Sequence, residues 1–201
     1  MLVRNRMTSP VVTTTPTTDT TTALRTMYAR RIRRLPVVDE RGALVGIVTL
    51  RDLLEKAKGG APVAAVMTSK PYTVGPDTPM VRAAALLRDL GVGALPVLDR
   101  GRLVGIITES DIFDAFLELL GARQEGVRLV VPLTDIAEDI VGILRAVAPT
   151  GARVTGLTTY ADGGRPTVIV TADERDPRDL VRALIAAGFE PSSISVQSAA
   201  A

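Results

Sequence analysis

The chain is one unit written twice, followed by a segment of a different kind. Met7-Thr8-Ser9 returns as Met67-Thr68-Ser69, and Leu35-Pro36-Val37 as Leu95-Pro96-Val97, both at an offset of 60 residues. Pro16 and Thr18 return as Pro76 and Thr78. The offset then falls to 59, because Asp39-Glu40-Arg41-Gly42 is answered by the shorter Asp99-Arg100-Gly101. Past that turn, Gly46-Ile47-Val48-Thr49 matches Gly105-Ile106-Ile107-Thr108, and Asp52 matches Asp111. Each copy is therefore one supersecondary unit, and the two have to bury their apolar faces in related ways.

Both copies read as the same string of elements. A short β-prone stretch (Val11–Thr15, Tyr72–Val74) leads to a Thr suited to cap a helix, Thr18 or Thr78. Helices follow over about Asp19–Ala29 and Pro79–Leu90, the second with Val81, Ala84, Ala85 and Leu87 at helical spacing. Gly91 suits the helix end. Two strands joined by the charged turn come next, Leu35–Val38 with Leu44–Thr49 and Leu95–Leu98 with Leu103–Thr108. A last helix starts near Asp52 or Asp111. Thr13–Thr22 holds eight Thr in ten residues. Its aligned counterpart is ordinary sequence, so it reads as a strand-to-helix turn and not as a low-complexity linker.

The third segment follows a polar stretch, Gly121–Gly126. Val127–Val131 reads as a strand and Asp135–Ala148 as a helix. Val154–Tyr160 and Thr167–Thr171 read as strands around an Asp162-Gly163-Gly164 hairpin turn. Asp176 and Pro177 read as N-cap and first position of a helix over Leu180–Ala187, ended by Gly188. Ser193–Val196 is a final strand. The order βαββαβ is that of the ferredoxin-like split motif.

Composition narrows the chemistry. The chain has no Cys, no His and no Trp, 24 basic against 22 acidic side chains, and 3% aromatic residues. That excludes disulfides, zinc–thiolate and imidazole metal sites, thiol nucleophiles and Ser-His-Asp machinery. Any catalysis would run on Asp, Glu, Lys, Ser, Thr or Tyr, and no convergent pair is readable. A net charge of +2 and few aromatics give no basis for nucleic-acid binding. Met1–Arg6 lacks the apolar stretch of a signal peptide, and no apolar run approaches the ~18 residues of a membrane span. The expectation is a soluble, cytoplasmic protein that contacts no membrane.

Each copy carries Gly-apolar-apolar-Thr-x-x-Asp: Gly46, Thr49 and Asp52, then Gly105, Thr108 and Asp111. The spacing puts a hydroxyl at a strand end and a carboxylate in the first helical turn. With the helix-start N–H groups the hydroxyl can meet a phosphate. The carboxylate can accept from a ribose diol. The alternative is local: Thr caps the helix and Asp offsets its dipole. Duplication at matching positions favours the ligand reading.

The unit resembles the CBS domain, through Leu-Pro-Val and the Gly-apolar-apolar-Thr-x-x-Asp that follows it. A tandem pair of CBS domains is a Bateman module. The third segment resembles an ACT domain, and the whole resembles the acetoin-utilisation AcuB family. The resemblance implies a mixed α+β or α/β fold. A pseudo-two-fold pair of βαββα units over 1–60 and 61–121 is joined by a linker at 122–126 to a ferredoxin-like βαββαβ ACT-type domain over 127–197, with a tail at 198–201. It implies two clefts. One takes Ile106, Thr108, Ser110 and Asp111, facing Ser9, Pro10, Ile32, Arg33 and Arg34. The other takes Ile47, Thr49 and Asp52, facing Ser69, Lys70, Val92 and Gly93.

Arg33 and Arg34 match a position where family members place basic residues toward phosphate, whereas their counterparts are Gly93 and Ala94. The Asp111 cleft is thus expected to prefer AMP, ADP or ATP. The Asp52 cleft is expected to take S-adenosylmethionine or to stay empty, with Lys70 as a competing source of charge. The alternative for Arg30, Arg31, Arg33 and Arg34 is a solvated helix end. Few aromatics imply that adenine is held by aliphatic residues and backbone. ACT domains that bind amino acids carry a glycine turn where this chain has Leu133-Thr134-Asp135-Ile136-Ala137-Glu138. That departure favours dimerisation or signal transfer. The resemblance implies a ligand sensor with no catalytic, cofactor or metal residues, working as a homodimer. Its partner would be a metabolic enzyme of acetoin or acetyl-group use. Two other classes remain: an oligomerisation module with vestigial clefts, and an enzyme using Asp and Lys chemistry.

Overall fold

The computed structural model describes residues 1–56, 60–122 and 124–198. Arg123 of the expected linker and residues 199–201 of the expected tail lie outside the described residues. The chain divides into two compact units, Met1–Ala115 and Phe116–Ala201.

The first unit holds both copies. In the first, α1 (Thr20–Arg30) leads to β1 (Arg34–Val38), β2 (Leu44–Thr49) and α2 (Leu50–Glu55). In the second, β3 (Thr68–Ser69) precedes α3 (Met80–Leu90), β4 (Ala94–Asp99), β5 (Arg102–Thr108) and the start of α4 (Glu109–Leu119). Each hairpin is antiparallel, with a bulge at Val37/Val38 and at Val97/Leu98. The one-residue slip of the repeat lies in the turns. Arg100 and Gly101, both at positive φ, close a two-residue loop between paired Asp99 and Arg102. In the longer turn Asp39 Oδ1 accepts the N–H groups of Arg41 and Ala43 at 2.9 and 2.8 Å.

The stretches before the helices make only single bridges, Thr14 with Val37 and Val74 with Val97, in place of strands. Thr18 and Thr78 do not cap the helices. Their hydroxyls accept the N–H of the residue three earlier, Thr15 or Gly75, each at 3.2 Å, and so close the preceding turn. Asp19 takes the cap of α1, accepting from Thr21 and Thr22. Pro79 precedes α3 with no side-chain cap.

The leading segments change places between the copies. Val3 is fully buried among Val74, Met80, Leu87, Leu95, Val97 and Ile107 of the second copy. The Val3 N–H bonds the Thr78 carbonyl, Thr8 pairs with Ile106, and Arg4 forms an ion pair with Asp77. Reciprocally, Val63, Val66 and Met67 complete the core of Ala23, Met27, Leu35, Val37, Val48 and Leu53. Thr68 pairs there with Ile47. This crossing explains the motif glycines. A Cβ on Gly46 would lie 2.7 Å from Met67 Sδ, and one on Gly105 would lie 2.6 Å from Met7 Sδ. A small third cluster, Ile47, Ala94 and Ile106 with Val11 against it, joins the copies at their centre.

In the second unit, β6 (Gly126–Pro132), α5 (Ile136–Val147), β7 (Arg153–Asp162), β8 (Arg165–Asp173), α6 (Arg178–Ala186) and β9 (Ser193–Gln197) follow in that order. The strands form an antiparallel sheet ordered β7-β8-β6-β9. Val127, Leu129, Val131, Val168 and Val170 on its inner face meet Ile143, Val147, Leu180 and Leu184 of the helices. Asp135 caps α5. Asp176 accepts the Arg178 N–H, but Pro177 takes the cap position of α6, one residue later than expected from the sequence. Gly142 inside α5 leaves room for Phe189, whose ring would lie 2.7 Å from a Cβ there. Among the described residues no helix is long and apolar enough to cross a membrane.

Candidate functional site

The two Thr-x-x-Asp motifs form matching devices. The Thr49 N–H and hydroxyl both donate to Asp52 Oδ2, at 3.0 and 2.6 Å, and the Asp52 N–H returns to Thr49 Oγ1 at 3.2 Å. Thr108 and Asp111 repeat this at 2.8, 2.7 and 3.4 Å. Both are capping boxes, so the local reading of the motif is present in full. Each Thr has committed its single proton to its own carboxylate. It offers a ligand a lone pair, which suits a hydroxyl and not a phosphate.

The carboxylates differ at their second oxygen. Lys56 Nζ donates to Asp52 Oδ1 at 2.6 Å. Asp52 is buried, which pushes its carboxyl pKa up, yet the bonds from Lys56 and Thr49 outweigh this and hold it below 3.8. In the repeat, Ala115 stands where Lys56 stands, and among the described residues Asp111 Oδ1 accepts no protein hydrogen bond, both Thr108 donors going to Oδ2.

A cavity opens beside each device. The cavity at Asp52, about 880 Å³, is lined by Ile47 and Thr49–Asp52 of the first copy, Thr68 and Lys70–Tyr72 of the crossing segment, and Gly91–Ala94 of the second copy. The cavity at Asp111, about 460 Å³, is lined by Ile106 and Thr108–Asp111, Thr8, Val11 and Val12, and Arg31–Arg34. Residues 91–94 and 31–34 are repeat equivalents, as are 49–52 and 108–111. Both volumes fall in the range of small-molecule sites, roughly 300–1,000 Å³.

Of the residues expected in the Asp111 cleft, Ile32, Arg33, Arg34, Ile106, Thr108, Ser110 and Asp111 line its cavity. Thr8, Val11 and Val12 stand at the wall in place of Ser9 and Pro10, which are exposed. Of those expected in the Asp52 cleft, Ile47, Thr49, Asp52, Lys70, Val92 and Gly93 line it, and Thr68 does so in place of Ser69. Sequence reasoning missed Tyr72, Arg51, Glu109 and Lys56. Tyr72 puts one ring at the Asp52 cavity, where only aliphatic contacts were expected.

Arg33 and Arg34 border both cavities and not the Asp111 cavity alone. Arg34 is held 3.6 Å from Glu109 as an ion pair, with its side chain 27% exposed. Burial lowers the pKa of its guanidinium and Glu109 opposes this. Among the described residues no cluster of acidic side chains could hold a metal ion.

The family model of the CBS domain matches residues 3–59 and 63–118. A CBS domain-containing protein of Dictyostelium discoideum is 38% identical over 137 residues, 60% of this chain and 94% of that protein. A CBS domain pair solved with 5′-methylthioadenosine and S-adenosyl-L-methionine is 31% identical, with TM-score 0.55, over 58% of this chain and 95% of its own. CBSX2 of Arabidopsis thaliana, solved with AMP, is 31% identical, with TM-score 0.54, over 59% and 97%. A Vibrio cholerae protein assigned as the acetoin utilization protein AcuB is 32% identical, with TM-score 0.56, over 62% and 96%. The repeat agrees with these matches: the chain belongs to the CBS-domain family, as a tandem pair.

Proposed function

We propose that this chain is a regulatory protein that takes AMP, ADP, ATP or S-adenosylmethionine in the two clefts of its CBS pair and binds them without reaction. The observation that carries this reading is the duplicated Thr–Asp device, set in the wall of two cavities that are each completed by the other copy. Asp111 Oδ1 is open to accept from a ribose diol. Arg31, Arg33 and Arg34 supply forked donors for phosphate. The adenosine ligands of the related structures support the same ligand class. Because every cleft wall draws on both copies, a ligand favours the arrangement of the copies that it fits best, by no more than its difference in affinity.

We assign 1–60 and 61–121 to the two CBS domains and 122–126 to a linker. We assign 127–197 to an ACT-like domain of ferredoxin type, supported by its βαββαβ order and β7-β8-β6-β9 sheet. Asp135 and Asp139 spend their carboxylates on the N–H groups that open α5. This supports a dimerisation or signal-transfer role over amino-acid binding. Phe113, Phe116 and Leu119 leave an exposed apolar strip along α4, which supports a homodimer. A cytoplasmic metabolic enzyme is the output we assign.

Titration calorimetry and thermal shift with the four ligands test the reading. Binding of at least one is expected. Asp111→Ala should weaken an AMP-type ligand at its cleft about tenfold or more, as loss of a charged hydrogen bond does. Silence with all four ligands would leave an oligomerisation module, and steady product formation would leave an enzyme.

A further inference from the structure

The two cavities are related by the repeat, yet they do not keep to their own residues. Position for position, the Asp52 cavity should be walled by residues 49–52 and 91–94 and the Asp111 cavity by 108–111 and 31–34. Arg33, Arg34 and Glu109 belong to the second set and also line the first cavity. Their equivalents, Gly93, Ala94 and Leu50, do not line the Asp111 cavity. The intrusion runs one way.

Gly93 makes it possible. A Cβ there would lie 1.7 Å from Arg34 Nη2 and 2.8 Å from Glu109 Oε2, so the guanidinium occupies the space that a side chain would fill. Its partner Glu109 is 67% exposed and 3.6 Å away, beyond hydrogen-bond length. The pair has no repeat equivalent, since Ala94 and Leu50 carry no charge. One half-buried cation is thus loosely held between two cavities, and its planar fork can serve one phosphate at a time.

We propose that Arg34 is shared between the clefts and couples them, so that a phosphorylated ligand in the Asp111 cleft weakens phosphate recognition in the Asp52 cleft. The coupling is reciprocal, as binding free energies require. It depends on the charge of the ligand and vanishes for adenosine. This inference rests on the nucleotide-binding reading above.

The test places a reporter in one cleft. The chain has no Trp, so Tyr72→Trp gives a single indole at the Asp52 cavity whose fluorescence follows occupancy there. AMP is titrated in this background with and without Asp111→Ala, which weakens the other cleft. AMP should fill the Asp52 cleft about tenfold more tightly when Asp111→Ala is present, a typical coupling, and adenosine should show no difference. Adding Arg34→Ala should remove the AMP difference. Gly93→Ala, which keeps the charge but drives the guanidinium out of its seat, should remove it as well. Equal AMP affinities with and without Asp111→Ala, an equal effect for adenosine, or coupling that survives both variants would each overturn the proposal. AMP binding to no variant, by fluorescence or by heat, would instead bring down the nucleotide reading on which it rests.

Discussion

At the residue scale the two aspartates show how much one neighbour changes. Asp52 and Asp111 have the same Thr partner and the same turn, and differ by Lys56 against Ala115. A ribose diol entering the Asp52 cleft has to share an oxygen with an ammonium already there. Lys56→Met should therefore raise adenosine affinity at that cleft several-fold, read by the same indole, and leave Asp111 unaffected. The variant should also raise the Asp52 carboxyl pKa in an NMR titration. Because the folded value lies below 3.8, the stabilisation from this cluster is complete above about pH 5 and is lost as pH falls through the lowered value. Thermal melts between pH 5 and 2 should fall less steeply in the variant. None of this could be read from the repeat, since offsets reveal matched positions and Lys56 is unmatched. Arg34 was legible as a basic residue near a cleft. Its reach into the other cleft was not, because that depends on Gly93, 59 residues away in sequence, lacking a side chain.

At the element scale the hairpins, their unequal turns and the Thr–Asp boxes were legible, because alternation, turn residues and capping are local. The caps of α1 and α3 were misplaced by one residue. Thr is equally able to close a turn or cap a helix, and here the turn's N–H at Thr15 and Gly75 takes the hydroxyl. The crossing segments were not legible from the repeat alone, although the family resemblance set Ser9 and Pro10 of the first copy against Thr108 and Asp111 of the second. A repeat says that Val3 and Val63 are equivalent and is silent on which copy each enters. Their geometry gives a direct test: Gly105→Val would press on Met7 and the Thr8 carbonyl, 2.6 and 3.1 Å from the new Cβ. The expected loss is about 1–3 kcal/mol. Hydrogen exchange should open first at the Val3 and Thr8 amides, with the core around Met27 and Leu35 still protected. Uniform deprotection of both cores would contradict it.

At the scale of the whole molecule, the exposed strip of Phe113, Phe116 and Leu119 sits on a helix otherwise rich in charge. Sedimentation of the full chain should give a dimer, and Phe116→Asp should shift it toward monomer; an unchanged dimer would move the interface elsewhere. The repeat announced two copies but not that they are interlocked. With Val3 seated in the second core and Val63 in the first, a copy taken alone has an arm with nothing to fill and a core with nothing to fill it. Severed between the copies, the two halves would each present the other's vacancy, as the parts of a split protein do. The same trade made between two molecules would bring the same side chains into both cores. The polypeptide link is then a matter of effective concentration: it keeps the exchange within one chain, and with it the composition of both clefts.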